Sequence, residues 1–322
     1  MRATVIGATG FIGGAVVDQL LCLGVEVRAV GRHAPAVEER AGVEWVEADL
    51  AEPPSLRGLC RGSDVLLQLA SYIGPDPARC HRVNTLGTRE VVREAERSGI
   101  RRTVLLSTAA AYGAGVHRGV AVGQVEPGPL SVTSASRRAA EQSVLDAHGV
   151  VLRPGLVVGT GDRWVVPALA DALRRVPARW SGGQALHSLI SVHDLARLIA
   201  GITVVQPTPE TGGRIFHANH PRPVPIADLI SSLAARGLVV DPTEDWPLDR
   251  CLAALGERSG WVSERQFRLL AEDHWYLSED VWNAFGVAPA PDPLLWLTHA
   301  ADWYRRHLAE TDRHSAQSRC SG

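Results

Sequence analysis

Short apolar runs alternate with amphipathic stretches along the first 150 residues of the chain. The apolar runs predict strands, because aliphatic and β-branched residues cluster in them between turn-forming residues. The predicted strands are Ala3–Ile6, Glu26–Val30, Val43–Glu47, Asp64–Leu69, Thr103–Ser107 and Val150–Leu152. Helix-like segments lie between them, at Ile12–Cys22, Ser55–Cys60, Thr85–Ser98 and Ser134–His148. Strands that alternate with helices indicate an α/β fold with a doubly wound parallel sheet.

The pattern changes after about Pro154, where segments become shorter and most of the tryptophans lie. We therefore expect a smaller C-terminal lobe that binds the substrate and is interleaved with the last strands of the sheet. The expected division is residues 1–160 for the sheet domain, with later strands added by the C-terminal part, and residues 161–310 mainly for the lobe. Residues 311–322 are polar and are predicted to form a disordered tail.

The composition excludes several classes of partner. The 33 basic and 35 acidic residues give a net charge of −2, so neither nucleic acid nor a membrane surface is expected. No apolar run approaches the ~20 residues of a membrane span, and the chain enters a strand at once, unlike a signal peptide. The five cysteines are scattered and odd in number, which is typical of reduced thiols, so we expect a cytoplasmic protein with Cys320 exposed.

Every basic residue apart from histidine is an arginine, and the chain contains no lysine. The absence of lysine excludes Schiff-base chemistry on that residue and excludes a P-loop lysine. It also excludes any mechanism in which a lysine ammonium lowers the pKa of a tyrosine.

A glycine motif follows the first predicted strand and opens the first predicted helix, as Gly7-x-x-Gly10-x-x-Gly13. Gly7 suits a tight turn, Gly10 lets the backbone approach a pyrophosphate, and Gly13 permits close packing of helix on strand. The phosphates would bind the exposed amides at the helix N-terminus. This context predicts a dinucleotide site in a Rossmann-type domain.

The end of the second predicted strand bears on the choice between NAD and NADP. An NAD site usually has Asp or Glu about 20 residues past the glycines, bonded to the ribose 2′-hydroxyl. That place reads Gly31-Arg32-His33, with no carboxylate, and Arg32 can pair with a 2′-phosphate. We therefore expect NADP(H) as the cofactor, with NAD(H) as the alternative. Asp49 and Leu50, after the third strand, are expected to contact the adenine.

Several segments together form a recognisable pattern, including the glycine loop. The others are Asp64-Val-Leu-Leu-Gln-Leu-Ala70-Ser71, Asn84-Thr-Leu-Gly-Thr88, Leu106-Ser-Thr108-Ala-Ala-Ala-Tyr112-Gly113, Arg153-Pro154-Gly155 and Ser191-Val-His-Asp194. Over roughly residues 1–240 the pattern resembles the extended short-chain dehydrogenase/reductases. The resemblance implies that Thr108 occupies the place of a catalytic Ser or Thr. It also implies cofactor contacts from Gly7, Thr9, Gly10, Phe11, Ile12, Gly13, Ala70, Ser71, Pro154 and Gly155.

The catalytic Tyr-x-x-x-Lys of that family is missing. Thr133 stands where the tyrosine belongs, and Arg137 stands where the lysine belongs. The tyrosine normally protonates the developing alkoxide; a threonine hydroxyl is too weak an acid for this, although it can donate a hydrogen bond. Arg137 can bond the nicotinamide ribose and supply positive charge, but it will not release a proton. Thr108 and Thr133 are the candidate catalytic hydroxyls, with a strand-end cap and a loop hydroxyl as the respective alternatives.

Three functions are compatible with these residues. The first is an NAD(P)H-dependent ketoreductase for an aromatic polyketide, whose own phenol beside the ketone, or the solvent, supplies the proton. The reductase fold, Thr-x-x-x-Arg and the all-arginine composition resemble the atypical angucyclinone ketoreductases of simocyclinone-type antibiotic pathways. The second is a non-catalytic NADP-binding regulator. The third is a nucleotide-sugar ketoreductase or epimerase, which would need the missing Tyr/Lys pair.

Four side chains are candidates for the substrate wall. Tyr72 and Tyr112 follow strand ends that should face the cofactor cleft. Trp164 and His187 belong to the second lobe, whose tryptophans suit a large flat ligand. For each of the four, packing inside the protein is the alternative.

The remaining expectations concern metal, loops and assembly. His217-Ala-Asn-His220 looks like a metal pair, but no further ligand is near in sequence, so no metal is expected. The glycine-rich segment Gly113–Pro129 is expected to be a lid loop or a long surface connection. The helix at Thr85–Ser98 carries many charges, which favours a monomer.

Overall fold

The computed structural model describes residues 1–33, 40–206 and 208–320, without the side chains of residues 312 and 314–320. Its strands are β1 (Arg2–Ile6), β2 (Glu26–Gly31), β3 (Val43–Glu47), β4 (Val65–Gln68), β5 (Arg102–Leu106), β6 (His117–Val120), β7 (Val150–Arg153), β8 (Leu156–Val158), β9 (Arg179–Trp180), β10 (Leu186–His187), β11 (Leu189–Ser191), β12 (Arg214–His217), β13 (Val224–Pro225), β14 (Asp245–Trp246) and β15 (His274–Tyr276). Its helices are α1 (Phe11–Cys22), α2 (Pro77–Cys80), α3 (Thr88–Arg97), α4 (Val132–Asp146), α5 (Val165–Arg175), α6 (Val192–Val204), α7 (Ile226–Ala234), α8 (Leu248–Glu257), α9 (Glu264–Ala271), α10 (Glu279–Phe285) and α11 (Leu297–Cys320).

A seven-stranded sheet forms the centre of the protein, in the order β12-β7-β5-β4-β1-β2-β3. All six strand pairs in it are parallel. The six strands predicted from the sequence are all present, each within one residue of its predicted ends. The chain therefore has the predicted Rossmann-type α/β fold, and β12 adds a strand from the C-terminal half.

One predicted helix, Ser55–Cys60, is wrong. A 3₁₀ turn at Pro53–Leu56 stands there, with proline at its first two positions. Gly58 follows with a φ of +74°, which a right-handed helix does not allow. The prolines fix the start of the turn and the glycine prevents its extension.

Helices cover both faces of the central sheet. Val17 of α1, Ile199 of α6 and Phe285 of α10 join one apolar cluster with residues of the strands. On the opposite face, Val91 of α3 packs in a second cluster and Val144 of α4 in a third. Residues beyond 160 thus supply two helices as well as a strand to the sheet domain.

A second lobe contains a smaller sheet in the order β13-β10-β15-β6. Its apolar core is formed largely by α5, α7, α8, α9 and α11. Trp180 packs there on Phe267, with ring centroids 4.7 Å apart. Helix α11 continues to Cys320, through residues for which the sequence predicted disorder; residues 321–322 lie outside the described part. No helix of the described ranges combines the length and apolarity that crossing a membrane requires.

The segment Gly113–Pro129 contains a strand, which neither interpretation of the sequence foresaw. Strand β6 lies within it and pairs with β15 of the second lobe. The ends of the segment meet, because a Cβ on Gly113 would lie 1.9 Å from the carbonyl oxygen of Gly128. This contact and the φ of +84° require glycine at position 113.

Candidate functional site

The glycine loop has the shape of a phosphate cradle. A Cβ on Gly7 would lie 2.9 Å from the backbone of Ala70, and one on Gly13 would lie 2.0 Å from the carbonyl oxygen of Gly7. Helix α1 begins after Gly10, and no side chain caps its first turn. The amides of that turn are thus available to an anion, as a dinucleotide pyrophosphate requires. The residues present fit a bound dinucleotide.

The side chains expected around the adenine and its ribose lie beyond β2 and β3. Arg32 and His33 are exposed directly after β2. The Asp49 carboxylate accepts the N–H of Ala51 at 2.8 Å and so shapes the turn after β3. Leu50 is buried in the apolar cluster that contains α3. The contacts of these residues with a cofactor stay predictions.

Two further residues for which the sequence predicts cofactor contacts are Thr9, within the glycine loop, and Ser71, after β4. The Thr9 side chain lies about 3.4 Å from where a Cβ on Gly31 would be. Ala70 and Ser71 follow β4 and are half-buried. Phe11, at the start of α1, comes within 2.8 Å of the position of a Cβ on Gly161, so it touches the chain segment that leads into the second lobe.

Tyr72 lies in the loop after β4. Its backbone is fixed by Asn84, in the turn that leads into α3. Asn84 accepts the N–H of Tyr72 at 2.7 Å and donates to its carbonyl at 3.0 Å. The Arg79 guanidinium lies 4.7 Å from the centroid of the Tyr72 ring. These contacts fix the loop of residues 72–80 beside the carboxyl end of the sheet.

Thr108 follows β5 and begins a 3₁₀ turn at Ala109–Tyr112. Its Oγ1 accepts the N–H of Ala110 at 3.1 Å. Since that contact uses a lone pair, the hydroxyl proton is left to donate. The cap expected as the alternative and the role of hydrogen-bond donor are therefore compatible.

The two side chains at the Tyr/Lys positions of α4 both bond to nearby carbonyls. Thr133 donates to the carbonyl of Gly74 at 3.3 Å. Arg137 donates through Nη2 to the carbonyls of Leu106 and Ser107, at 3.1 and 2.6 Å. Burial lowers the pKa of Arg137 to about 10, so it stays cationic at neutral pH. Neither group is an acid at neutral pH.

The stretch at Pro154 and Gly155 has its own backbone partners. The Pro154 carbonyl accepts the N–H of Ala109 at 2.8 Å. The Gly155 N–H donates to the side chain of Asn219 at 2.6 Å. A nicotinamide carboxamide placed here would have to use the remaining groups of this stretch.

A buried polar network behind Thr108 was missed by the sequence analysis. Arg153 donates to both carboxylate oxygens of Glu141, at 2.9 and 2.6 Å. Glu141 also accepts the hydroxyl of Ser107 at 2.5 Å. Tyr112 and His217 are 2.7 Å apart at their polar atoms. The partners lie up to 105 residues apart in sequence, so no local pattern could have paired them.

The two candidates from the second lobe lie in different surroundings. Trp164 is 55% exposed and precedes α5, where Asp162 accepts its N–H at 2.8 Å. His187 is 1% exposed and donates through Nε2 to the Leu270 carbonyl at 3.0 Å. Burial lowers the pKa of His187 to about 4. Trp164 is thus accessible to a ligand, whereas His187 is enclosed by the lobe.

The ring nitrogens of His217 and His220 are all hydrogen-bonded within the protein. His220 donates through Nε2 to the Ala290 carbonyl at 2.8 Å and accepts the N–H of Arg222 through Nδ1 at 3.0 Å. His217 bonds Tyr112 on one side and the Leu277 carbonyl on the other. Among the described residues, no group of three His, Cys, Asp or Glu side chains has the geometry of a metal site.

Comparison with known proteins gives consistent results. The model of the NAD dependent epimerase/dehydratase family matches residues 3–210. A 2-alkyl-3-oxoalkanoate reductase of Stenotrophomonas maltophilia (strain K279a) is 28% identical over 320 residues, covering 90% of this chain and 95% of that protein. A 4-hydroxy-2-methyl-3-oxo-4-farnesyl-3,4-dihydroquinoline-1-oxide ketoreductase of Stigmatella aurantiaca is 30% identical over 246 residues, or 72% of each chain. The UDP-glucuronic acid 4-epimerase of Bacillus cereus, solved with NAD, has a TM-score of 0.74 at 17% identity and covers 95% of this chain and 99% of its own.

Solved structures with this fold contain NAD or NADPH, and the glycine loop described above suits such a cofactor. The family model that matches the chain describes an NAD dependent family, so a nicotinamide dinucleotide is the cofactor class of this protein. The parallel sheet, the phosphate cradle and the match over residues 3–210 show that the chain belongs to the NAD-dependent epimerase/dehydratase family.

Proposed function

We propose that the chain is an NADPH-dependent ketoreductase for a polycyclic aromatic ketone of the angucyclinone type. The ketone carries a phenol on the neighbouring ring, whose hydroxyl faces the carbonyl oxygen. The observation that carries the proposal is that the two positions of the family's Tyr/Lys pair hold no proton donor. Thr133 and Arg137 both donate to backbone carbonyls, and neither can release a proton at neutral pH.

The reaction then needs a proton from outside that pair. A reduced nicotinamide dinucleotide, held by the glycine loop and the start of α1, would supply the hydride for the carbonyl carbon. Thr108 donates a hydrogen bond to the carbonyl oxygen as negative charge develops there. The phenol proton passes to that oxygen, and the phenolate regains a proton from water. A phenol already hydrogen-bonded to the ketone is well placed for this transfer.

The names of two relatives support a ketone with a neighbouring polar group. One relative is named for a 3-oxoalkanoate and the other for a 4-hydroxy-3-oxo-dihydroquinoline. In each name the oxo group lies one or two carbons from an acid or a hydroxyl. The second is also a fused ring, as the proposed substrate is.

Two other functions stay as alternatives. Solved structures of this fold include one with UDP-glucose and NAD, which favours a nucleotide sugar. The lost Tyr/Lys pair counts against that reading and in favour of a regulator that binds NADP(H) without turnover. Arg32, exposed after β2, supports NADPH over NADH in every case.

The test follows NADPH absorbance with pairs of polycyclic ketones that carry either the neighbouring phenol or its methyl ether. We expect the methyl ether to react on the order of 10²-fold more slowly, because it has no proton to give. Equal rates would show that the protein or the solvent supplies the proton. Tight NADPH binding without turnover of any ketone would favour the regulator, and turnover of a nucleotide-sugar ketone alone would favour the third function.

Two nearly isosteric variants distinguish the two threonines. Thr133→Val should keep kcat for the phenolic ketone within about threefold, because its hydroxyl bonds Gly74 in place of a substrate. Thr108→Val should lower kcat on the order of 10²-fold, as loss of an oxyanion donor does. A large loss in Thr133→Val with little change in Thr108→Val would exchange the proposed roles.

A further inference from the structure

The turn that carries Thr108 is fixed at both ends. At its start, the Ala109 N–H donates to the carbonyl of Pro154 at 2.8 Å. At its end, the Tyr112 side chain is 3% exposed and its hydroxyl lies 2.7 Å from Nε2 of His217. Movement of Tyr112 would therefore move the backbone that orients the Thr108 hydroxyl.

The neighbours of His217 determine the direction of the bond to Tyr112. Nδ1 of His217 lies 3.0 Å from the carbonyl oxygen of Leu277, and a carbonyl can only accept. Nδ1 therefore carries the proton, and Nε2 of the neutral ring is an acceptor. Tyr112 donates to His217, and His217 donates to Leu277, which directly follows β15 of the second lobe.

The Tyr112 ring also contacts Arg153, which belongs to the buried polar network behind Thr108. The Arg153 guanidinium lies 4.9 Å from the ring centroid, and Tyr276 stacks on the ring at 5.3 Å. Arg153 also binds Glu141, which accepts the hydroxyl of Ser107. Along the chain, Thr108 thus lies between Ser107 and Tyr112, whose side chains are both fixed in this buried network.

We propose that Tyr112 and His217 are positioning residues, which hold the Thr108 hydroxyl against the ketone and link it to the second lobe. The inference rests on the proposed function, because it requires a ketone that Thr108 binds. Neither residue touches the substrate in this scheme; Tyr112 is 3% exposed, so packing inside the protein replaces its expected place in the substrate wall. Their effect is exerted through the backbone of residues 109–112.

Three variants test the bond while keeping the size of the side chains similar. Tyr112→Phe removes the donor. His217→Asn removes the acceptor but can still donate to the Leu277 carbonyl, whereas His217→Gln can still accept from Tyr112. We expect Tyr112→Phe and His217→Asn to lower kcat about tenfold, the value of one hydrogen bond. KM and the Kd for NADPH should stay within about twofold, and His217→Gln should recover most of the loss.

A double variant and a pH profile separate positioning from general damage. Tyr112→Phe combined with His217→Asn should be no slower than either alone, since both remove one interaction. Burial lowers the pKa of His217 to about 4; Arg153 opposes its protonation and Asp280 favours it, while Tyr112 and Tyr276 face the ring as neutral groups. kcat should therefore be constant from about pH 7 to pH 5 and fall below that, and His217→Gln should lack this fall.

The outcomes are distinguishable. A wild-type protein that reduces no ketone overturns both the proposed function and this inference. An active wild type whose Tyr112→Phe and His217→Asn variants keep full kcat overturns the positioning role alone. The same holds if kcat, NADPH affinity and melting temperature fall together and His217→Gln is no better than His217→Asn.

Discussion

Arg137 shows how one residue can keep the charge of a site while changing its chemistry. Its guanidinium donates to the carbonyls of Leu106 and Ser107, at the end of the strand that leads to Thr108. With a pKa lowered by burial to about 10, it stays positive at neutral pH. It can therefore stabilise negative charge near Thr108, but it is tied to the strand and is not a mobile proton donor.

Arg32 is the residue on which the cofactor preference depends. Arg32→Ala should weaken NADPH binding about tenfold or more, the usual loss when a charge-assisted hydrogen bond disappears. NADH binding should change less than about twofold, since NADH has no 2′-phosphate. Fluorescence titration with both cofactors measures the effect, and Arg265→Ala, an exposed arginine on α9, is the control. Equal losses for the two cofactors would contradict the assignment.

At the scale of elements, the C-terminal helix α11 is anchored beside the predicted substrate wall. Tyr304 is fully buried; it donates to the Asp162 carboxylate at 2.9 Å and accepts the N–H of Gly159 at 2.8 Å. Asp162 also accepts amides at the start of α5, including that of Trp164. One helix thus stabilises the turn that presents Trp164.

Removing the Tyr304 hydroxyl tests this anchor. Tyr304→Phe leaves the buried Gly159 amide without its partner, which costs about 1–3 kcal/mol. We expect the melting temperature to fall by several degrees, at about 2–4 °C per kcal/mol. Arg306→Ala, exposed on the same helix, should change stability by less than about 0.5 kcal/mol. If the melting curves of Tyr304→Phe and the wild-type protein coincide, α11 is fixed by its apolar contacts alone.

The sequence predicts most of the strands and helices, whereas the side-chain pairings of the buried network leave no local pattern in it. The strands were predictable because both faces of a central parallel strand are apolar, and Gly7 and Gly13 marked the cradle. The bond from Tyr112 to His217 spans 105 residues, and only the assembled sheets bring its partners together. The predicted helix at Ser55–Cys60 is absent because Pro53 and Pro54 begin a 3₁₀ turn and Gly58 adopts a positive φ.

At the scale of the whole molecule, two buried histidines tie stability to pH. Burial lowers the pKa of both His187 and His217 from 6.5 to about 4, so both are neutral in the folded protein. The unfolded chain takes up protons at these residues as the pH falls below 6.5. Their contribution is therefore complete above that pH and is lost between 6.5 and about 4, by about 3 kcal/mol for each histidine.

The free energy of unfolding should accordingly be nearly constant above about pH 7 and decrease steadily toward pH 5. Urea titrations at a series of pH values measure this slope. His217→Gln should reduce the slope, because glutamine does not titrate, even if the variant is less stable at neutral pH. A stability that is unchanged or higher at about pH 5 would contradict the neutral, buried state of the two rings.

The contact between Gly113 and Gly128 has a consequence for how such a protein diversifies. Because the ends of the segment touch, a longer segment between them would add little closure cost, about 0.6 kcal/mol for each doubling of its length. Within the segment, β6 forms one edge of the second lobe's sheet and pairs with β15. An insertion between Gly113 and β6 would therefore extend this edge of the second lobe while the glycine loop at residues 7–13 stays unchanged.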